Sequence, residues 1–332
     1  MRTYDVTTIG SATQDIYVFS TKFHVQEDPR RVSGLAEFFS FGTKIELDDI
    51  FFEIGGGATN AAATFRNQDL RTACVARIGS DGAGVDVRHE LKRRGIAAHL
   101  IVDRKERTGQ GIIFLGRTGE RTILVYRGAT QVFRPAELTP AIFKKTQWVY
   151  LTSLGGNVSA LSKAIHLAHD HKARIMINPG KREIVDHSKR LRSLMRYVDI
   201  VLVNREEAAA LAGRAYSNIP GMLSRLRDFT PGIIWITDGA AGAYYLMDKT
   251  AGHVIIHPVH GVDMTGAGDA FGSGFLAGMI RYRGNFERSA ALAIHNAGAV
   301  IGKIGAKHGL LTKSDRRTVV SYQFKKFIHF NK

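Results

Sequence analysis

Short apolar runs rich in β-branched residues alternate along this chain with stretches of helical periodicity, and this alternation constrains the fold more than any other feature. The runs include YDVTTIG, TACVARIG, WVYLTSL, ARIMIN, VDIVLVN and GIIWIT, and the helical stretches between them include 57–68, 82–94, 156–171 and 204–212. Parallel strands that are buried on both faces are typically apolar throughout, and helices connect them. The sequence therefore predicts an α/β fold with a mostly parallel central sheet and helices on both of its faces.

Two regions depart from this pattern. Residues 17–54 and 107–128 show no clear helix and alternate apolar with polar residues, as in GTKIELDDIFFEIG and GQGIIFLGRTGERTILVYRG. Such alternation is typical of antiparallel strands with one solvated face. We expect these regions to form one small β lid, and residues 1–16, 55–106 and 129–332 to form the α/β core.

Composition narrows the class of protein. No apolar run approaches the ~18 residues of a membrane span, and no secretory signal precedes the first strand, so we expect a cytoplasmic protein without a membrane partner. Cys74, the single cysteine, is predicted to be a small buried hydrophobe. The 46 Lys and Arg exceed the 30 Asp and Glu, giving a net charge of +16, but the basic residues are scattered. We therefore expect a basic solvated surface and no nucleic-acid partner.

A glycine turn, DMTGAGDAF, precedes an apolar stretch with helical spacing. The helix is predicted to begin near Ala267, so Gly266 and Gly268 place bare backbone amides at its N-terminus, where an anion binds favourably. Asp269 falls in the first turn of this helix. Its carboxylate is either a charge partner of the helix N-terminus or a base for a hydroxyl that attacks a bound phosphate.

A second glycine turn, FEIGGGATNAAATF, also connects a strand to a helix of small residues. Three consecutive glycines, Gly55, Gly56 and Gly57, allow the backbone to approach a ligand closely, and Asn60 follows in the first turns. A tight strand-to-helix turn alone would need only one or two glycines.

Taken in order, these motifs resemble the PfkB, or ribokinase-like, family of carbohydrate kinases. The resemblance extends from IGSATQD at 9–15 through GGGATNAA, VNREEAAAL and TDGAAGAYY to DMTGAGDAFGSGFLAG and NAGAVIGKIGA. It implies a ribokinase-like three-layer sandwich with a β lid, and ATP-dependent phosphoryl transfer to the CH₂OH group of a sugar or nucleoside. Such chemistry requires mainly positioning and charge stabilisation.

The resemblance also implies roles for single residues. It makes Asp269 the catalytic base and gives the anion hole to the amides of Gly266, Ala267 and Gly268. The positions that match the family's acceptor-binding residues are Asp15, Gly56, Gly57 and Asn60.

Further positions match the family's nucleotide and ion sites. Those implied for the nucleotide are Asn204, Glu207, Thr237, Gly239, Gly242 and Asn296, the last beneath adenine. Glu207 would order the water shell of Mg²⁺, and its neighbour Glu206 is expected to be a solvated charge. Asp263 and Thr265 match a monovalent-cation site, which implies K⁺, with backbone carbonyls near Val300 and Gly305 as further ligands.

Two departures from the family pattern concern the ligands. The turn GGGATN lacks the lysine that phosphofructokinase-like members usually have there, which argues against a phosphorylated acceptor. Asn296 lies nine residues before Gly305, a shorter interval than in ribokinases, and this weakens its assignment to adenine.

The lid holds the information on the acceptor. Its phenylalanines either stack on a nucleobase, fill the lid sheet or form a contact between the lids of a homodimer; they are Phe38, Phe39, Phe41, Phe51 and Phe52. Arg121 and Arg127 either reach an anionic group or are solvated strand residues.

The favoured function is phosphorylation of a free sugar similar to ribose or fructose, by a phosphotransferase that uses an alcohol as acceptor. A nucleoside kinase of the same family is the first alternative, and a catalytically silent family member acting as a scaffold or regulator is another. A nicotinamide dehydrogenase is disfavoured because the first strand leads to GSATQD and not to G-x-G-x-x-G.

Overall fold

The computed structural model describes residues 2–28, 35–38, 41–115, 121–257, 261–315 and 320–329. The strands, in chain order, are β1 Tyr4–Gly10, β2 Thr13–Phe19, β3 His24–Glu27, β4 Leu35–Phe38, β5 Asp49–Gly55, β6 Thr72–Gly79, β7 Ala97–Asp103, β8 Gly109–Leu115, β9 Arg121–Tyr126, β10 Thr146–Leu151, β11 Arg174–Ile177, β12 Ile200–Asn204, β13 Ile233–Thr237, β14 Ala243–Met247, β15 Thr250–Ile256 and β16 Tyr322–His329. The α-helices are α1 Gly57–Asn67, α2 Gly82–Arg93, α3 Pro140–Lys144, α4 Val158–Asp170, α5 Lys181–Leu194, α6 Arg205–Ala212, α7 Ile219–Arg227, α8 Ala267–Arg281 and α9 Phe286–Ile301.

The central sheet contains ten of these strands in the order β16-β15-β14-β13-β12-β11-β10-β1-β6-β7. The seven strands from β13 to β7 pair in parallel, and β14, β15 and β16 extend the sheet antiparallel at one edge. Apart from the edge strand β7, the parallel strands are largely buried on both faces, which explains their continuous apolar runs; all eight residues of β6 are buried.

Alternate residues of each strand contribute to two hydrophobic cores. Strand residues that point to one face, such as Val149, pack with helices α4 to α7. Strand residues that point to the other face, such as the neighbouring Tyr150, pack with α1, α8 and α9. The result is a layer of helices on each face of the sheet. This confirms the predicted three-layer α/β architecture, and Cys74 is fully buried as predicted.

A smaller sheet has the order β5-β2-β8-β9. Its outer pairs are antiparallel as predicted, but β2 and β8 pair in parallel. The reason is that β2 follows β1 and β8 follows β7, and both of these central strands point in the same direction. The division into core and lid stays a prediction, although β2 begins at Thr13, within the segment assigned to the core.

The four helices predicted from periodicity correspond to α1, α2, α4 and α6, and α8 begins at Ala267 as predicted. Several helices are capped at the N-terminus by an asparagine or aspartate whose side chain accepts a hydrogen bond from a backbone amide. Asp81, for example, accepts from the amide of Gly84 at 3.0 Å. Among the described residues, no helix combines the length and the apolar character that crossing a bilayer would require.

Candidate active site

The predicted base, Asp269, lies in the first turn of α8. Gly266 begins this helix with φ of 78°, and a Cβ built there would lie 2.4 Å from the Cβ of Ala306. Gly268 has no atom within 4 Å of its hypothetical Cβ. The turn is therefore closed at Gly266 and open at Gly268, where an anion can approach the helix N-terminus.

The carboxylate of Asp269 is held on one side only. Nδ2 of Asn60, from α1, donates to its Oδ2 at 2.9 Å, and within the described residues its Oδ1 accepts no hydrogen bond. Burial raises the pKa of Asp269, and this rise is opposed by the hydrogen bond from Asn60 and by the charge of Lys307. One carboxylate oxygen is thus available to a substrate hydroxyl.

Lys307 is a residue of this site that the sequence analysis missed. Its side chain is only 6% exposed, and its ammonium donates to the carbonyl of Ile54 and, at 2.6 Å, to Oδ1 of Asn60. Burial lowers the pKa of Lys307 to about 8, although the negative charge of Asp15 acts in the opposite direction. A lysine in a glycine-rich turn gives no sequence signal of burial, because such residues are usually solvated.

Asp15 lies in β2, where two glycines make room for its carboxylate. A Cβ at Gly55 would lie 2.0 Å from Oδ2, and one at Gly111 would lie 2.9 Å from Oδ1. Thr13 donates its hydroxyl to Oδ1 at 3.0 Å. Burial raises the pKa of Asp15, and Lys307 and Thr13 oppose that rise.

A cavity of about 210 Å³ opens beside this carboxylate. It is lined by both polar groups and aliphatic side chains, among them Ser11, Asp15, Gln110, Ile123, Arg127 and Thr130. The hydroxyl of Thr130 is buried and has no hydrogen-bond partner among the described residues. The cavity therefore combines polar lining groups with the unpaired hydroxyl of Thr130, as a site for a hydroxylated ligand would.

A second, more apolar cavity of about 140 Å³ lies between α8, α9 and the end of β13. Three residues predicted to bind nucleotide line it, namely Thr237, Gly239 and Gly242. Ala267 and Gly268 also line it, and its apolar wall includes Ile256, Phe271, Ile294, Ala297, Gly298 and Ile301.

Asn296 does not line this second cavity. It is fully buried, donates to the carbonyl of Ala270 at 2.9 Å and accepts from the amide of Leu311 at 2.9 Å. Successive residues of a helix point about 100° apart, so Ala297 and Gly298 face the cavity and Asn296 faces the core. The role beneath adenine that the resemblance implies stays a prediction, and Asn296 is not among the residues that line this cavity.

The glycine turn separates the two cavities. Thr265 lines the cavity that contains Asp15, whereas Ala267 and Gly268 line the apolar one. Two ligands, one in each cavity, would meet at the N-terminus of α8, where Asp269 lies in the first turn. This arrangement can bring together an anionic donor group and a hydroxyl acceptor.

Comparison with known proteins agrees with this geometry. The model of the pfkB family carbohydrate kinases matches residues 6–313. The chain belongs to the PfkB family of carbohydrate kinases. It is therefore a phosphotransferase, and ATP is the co-substrate of the family.

Relatives in this family differ in their acceptors. The ribokinase of Staphylococcus aureus is 27% identical over 259 residues, which cover 76% of this chain and 83% of the relative. The nucleoside kinase of Methanothermobacter thermautotrophicus is 27% identical over 228 residues, covering 68% and 72%. The solved structure of adenosine kinase from Sinorhizobium meliloti has a TM-score of 0.77 at 23% identity, covering 94% of this chain and 98% of that one, and shows the shared fold.

Asp263, one of the predicted cation ligands of this PfkB protein, anchors the glycine turn. Its Oδ1 accepts from the amide of Thr265 at 2.8 Å and from the hydroxyl of the same residue at 2.6 Å, and its Oδ2 accepts from the amide of Gly305 at 3.0 Å. Within the described residues, no three His, Cys, Asp or Glu side chains form a metal cluster.

Asn204 and Glu207 form a capping box at the start of α6. Oδ1 of Asn204 accepts from the amide of Glu207 at 2.8 Å, and Oε2 of Glu207 accepts from the amide of Asn204 at 2.9 Å. Burial raises the pKa of Glu207. Its second carboxylate oxygen accepts no hydrogen bond from the described residues, so it fits a hard cation that is bound through water. Glu206 is exposed and pairs with Lys181 at 3.0 Å.

The lid phenylalanines that the structure describes do not line the cavity that contains Asp15. Phe51 stacks on Tyr17 with centroids 5.1 Å apart, which matches the expectation that it fills the lid sheet. Phe38, Phe41 and Phe52 are exposed. Phe39 and the side chain of Arg121 lie outside the described residues, whereas Arg127 lines the cavity.

Proposed function

We propose that this protein is an ATP-dependent kinase that phosphorylates the primary hydroxyl of a free sugar. The observation that carries the proposal is that the glycine turn immediately before Asp269 lies between a polar cavity, which Thr265 lines, and an apolar one, which Gly268 lines. The apolar cavity suits a nucleotide base and ribose, and the polar cavity suits an acceptor with several hydroxyls.

In the proposed reaction, the acceptor hydroxyl donates a hydrogen bond to Oδ1 of Asp269. As the hydroxyl oxygen forms a bond to the γ-phosphorus of ATP, the bond from that phosphorus to the β-γ bridging oxygen breaks and ADP leaves. The hydroxyl proton passes to Asp269 and then to solvent. The amides of Gly266, Ala267 and Gly268 stabilise the charge of the transferred group.

Asp15 is proposed to hold the acceptor. An ionised carboxylate accepts hydrogen bonds from two adjacent hydroxyls, and the absence of side chains at Gly55 and Gly111 leaves room for it beside the cavity. Asn60 and the turn at Gly56 and Gly57 complete the acceptor side.

The ions of the proposal are Mg²⁺ and K⁺. Mg²⁺ would neutralise charge on the ATP phosphates, and Glu207 would hold its waters. Asp263 and Thr265 would support a monovalent cation beside the glycine turn, with backbone carbonyls as the other ligands. Asn204 contributes by fixing the orientation of Glu207.

A free sugar is favoured over a nucleoside because the acceptor cavity has few aromatic walls. Tyr126 is the aromatic residue among its described lining residues, and Phe51 is already stacked on Tyr17. A nucleoside acceptor would be expected to use base stacking, as it gains about 1–3 kcal/mol per stacked base in other proteins. A silent protein is disfavoured because Asp269 and its open glycine are intact.

Pairing of two lids is a further part of the proposal. Ile50, Phe52, Ile112 and Leu124 are exposed and share one face of the four-stranded sheet, opposite to the face that contains Asp15. An apolar face of this kind favours a homodimer through the lids.

The test is an assay of ADP release against pentoses, hexoses and nucleosides, with aldonates and sugar phosphates included because Arg127 lines the cavity. We expect a neutral sugar to have the highest kcat/KM. Asp15→Ala should raise its KM by at least about a hundredfold, the cost of about two charge-assisted hydrogen bonds.

Phe41→Ala is the matched control, because this fully exposed side chain should leave KM unchanged. If a nucleoside had a higher kcat/KM than every sugar, the proposed acceptor would be a nucleoside instead of a sugar, and the proposed role of Asp269 as base would stand. No ADP release with any acceptor would contradict the kinase proposal itself.

A further inference from the structure

A buried lysine contacts the residues on either side of the first glycine turn of the candidate active site. Lys307 follows α9 and lies far from both turns in the chain, yet its ammonium contacts Ile54, just before the first turn, and Asn60, just after it. Taking an ammonium out of water costs several kcal/mol unless it is paired or fully hydrogen-bonded. Lys307 can therefore occupy this buried position only while its ammonium keeps its hydrogen-bond partners.

The contacts of Lys307 determine which way the Asn60 amide points. An ammonium only donates hydrogen bonds, so the Asn60 atom 2.6 Å from it must be the oxygen. The amide nitrogen must then point to the opposite side, where it donates to Oδ2 of Asp269 at 2.9 Å. A flipped amide would place its NH₂ group against the ammonium and its oxygen against a carboxylate, and both contacts would be repulsive.

We propose that Lys307 is a positioning residue for phosphoryl transfer: through Asn60 it orients the Asp269 carboxylate so that Oδ1 remains available for the acceptor hydroxyl. This inference rests on the proposed role of Asp269 as base. The chain of contacts is continuous, from Lys307 to Asn60 and from Asn60 to Asp269, and both of the first two side chains are almost completely buried.

The charge of Lys307 supports the same role. Burial raises the pKa of Asp269, and both the Asn60 hydrogen bond and the positive charge of Lys307 counteract this rise. The ammonium therefore favours the ionised form that a base requires. The other charged or titratable groups that face this network are Asp15, Asp263, Tyr150 and, from α2, Glu90 and Arg94.

The experiment compares Lys307→Met, Lys307→Gln and the control Lys303→Met, whose lysine is exposed in the same segment. We expect Lys307→Met to lower kcat at least tenfold while the Kd for ATP changes less than twofold. Because the carboxylate loses both orientation and a favourable charge, the acidic limb of the kcat profile should move to higher pH. The control should match wild type in all three measurements.

Lys307→Gln separates orientation from charge. Its amide can still donate to Oδ1 of Asn60 but is neutral, so kcat should recover in part while the acidic limb stays displaced. It also keeps the inference testable if the methionine variant fails to fold, which circular dichroism would reveal.

Wild-type kcat and an unmoved acidic limb in either folded variant would overturn the proposal. A loss of kcat that only parallels a loss of folded protein, with the limb unmoved, would also overturn it, because that is the result of a purely structural lysine. Asp269→Asn is assayed alongside: if it too leaves kcat unchanged, the assignment of the base has failed instead.

Discussion

The two glycine turns have similar sequences but use their glycines differently. Each leads into an apolar helix whose first residue follows a glycine with positive φ, Gly56 at 91° and Gly266 at 78°. At Gly56 a Cβ would lie 2.5 Å from the carbonyl oxygen of Ser11, so this turn is pressed against the chain after β1. At the other turn, Gly268 faces open space.

The difference shows that a glycine turn before a helix can either pack closely against another part of the chain or leave the helix N-terminus open. The glycines of the first turn allow close packing and place Asn60, whereas Gly268 of the second leaves the N-terminus of its helix open to a ligand. The two polar side chains that follow, Asn60 and Asp269, meet in a hydrogen bond of 2.9 Å. The proposed base and the amide proposed to orient it are thereby contributed by different helices.

The largest expected effect is on kcat, and it differs between substitutions of these two side chains. Asp269→Asn should lower kcat by about 10²–10⁴-fold, the usual contribution of a general base, whereas Asn60→Ala should lower it by about tenfold, since the carboxylate remains. The Kd for ATP, measured by calorimetry, should change little in either variant. Equal losses from both substitutions would contradict the division into base and orienting residue.

The pH dependence sharpens this prediction. The base acts when ionised, so kcat falls as pH drops through its pKa, and burial places that pKa above the ordinary value for aspartate. Asn60→Ala removes a hydrogen bond to the ionised form and should move the acidic limb to still higher pH. The residual activity of Asp269→Asn should lack this limb.

An intermediate effect distinguishes the glycines. Gly56→Ala should lower the free energy of unfolding by at least about 2 kcal/mol, because of its positive φ and the contact with Ser11. Gly268→Ala should leave stability unchanged or raise it by up to about 1 kcal/mol, since alanine favours the helix.

Activity should show the opposite order. The added methyl group of Gly268→Ala occupies the approach to the amides, and kcat should fall by about tenfold or more. Urea unfolding and steady-state kinetics on the same samples provide the measurement. A destabilised Gly268→Ala variant with normal kcat would contradict the view that Gly268 serves ligand access and not packing.

The smallest effect concerns the monovalent cation. Replacing K⁺ by a bulky organic cation at constant ionic strength should reduce kcat a few-fold, because the proposed ion would support the glycine turn that Asp263 anchors. Mg²⁺ should be required in both salts. Equal rates would remove K⁺ from the proposal and leave Asp263 as an anchor of the turn.

Much of the fold could be predicted because its signals are local. Apolar runs and helical periodicity identified α1, α2, α4 and α6, and the glycine before Ala267 marked the start of α8. The parallel pairing of β2 with β8 was not predicted. It depends on the direction in which β1 and β7 leave the central sheet, and this is a property of the whole topology.

The sequence by itself determined the α/β layers and the two glycine turns, with Asn60 and Asp269 in the helices that follow them, because these features depend on local periodicity and backbone conformation. Asp15 was singled out only by the resemblance to the family. Only the tertiary structure decided which side chains meet. It rotates Asn296 into the core and brings Lys307 against Asn60 across 247 positions of the chain. Burial and the hydrogen-bond partners of a charged group depend on the packing of distant segments, and no pattern of neighbouring residues encodes them.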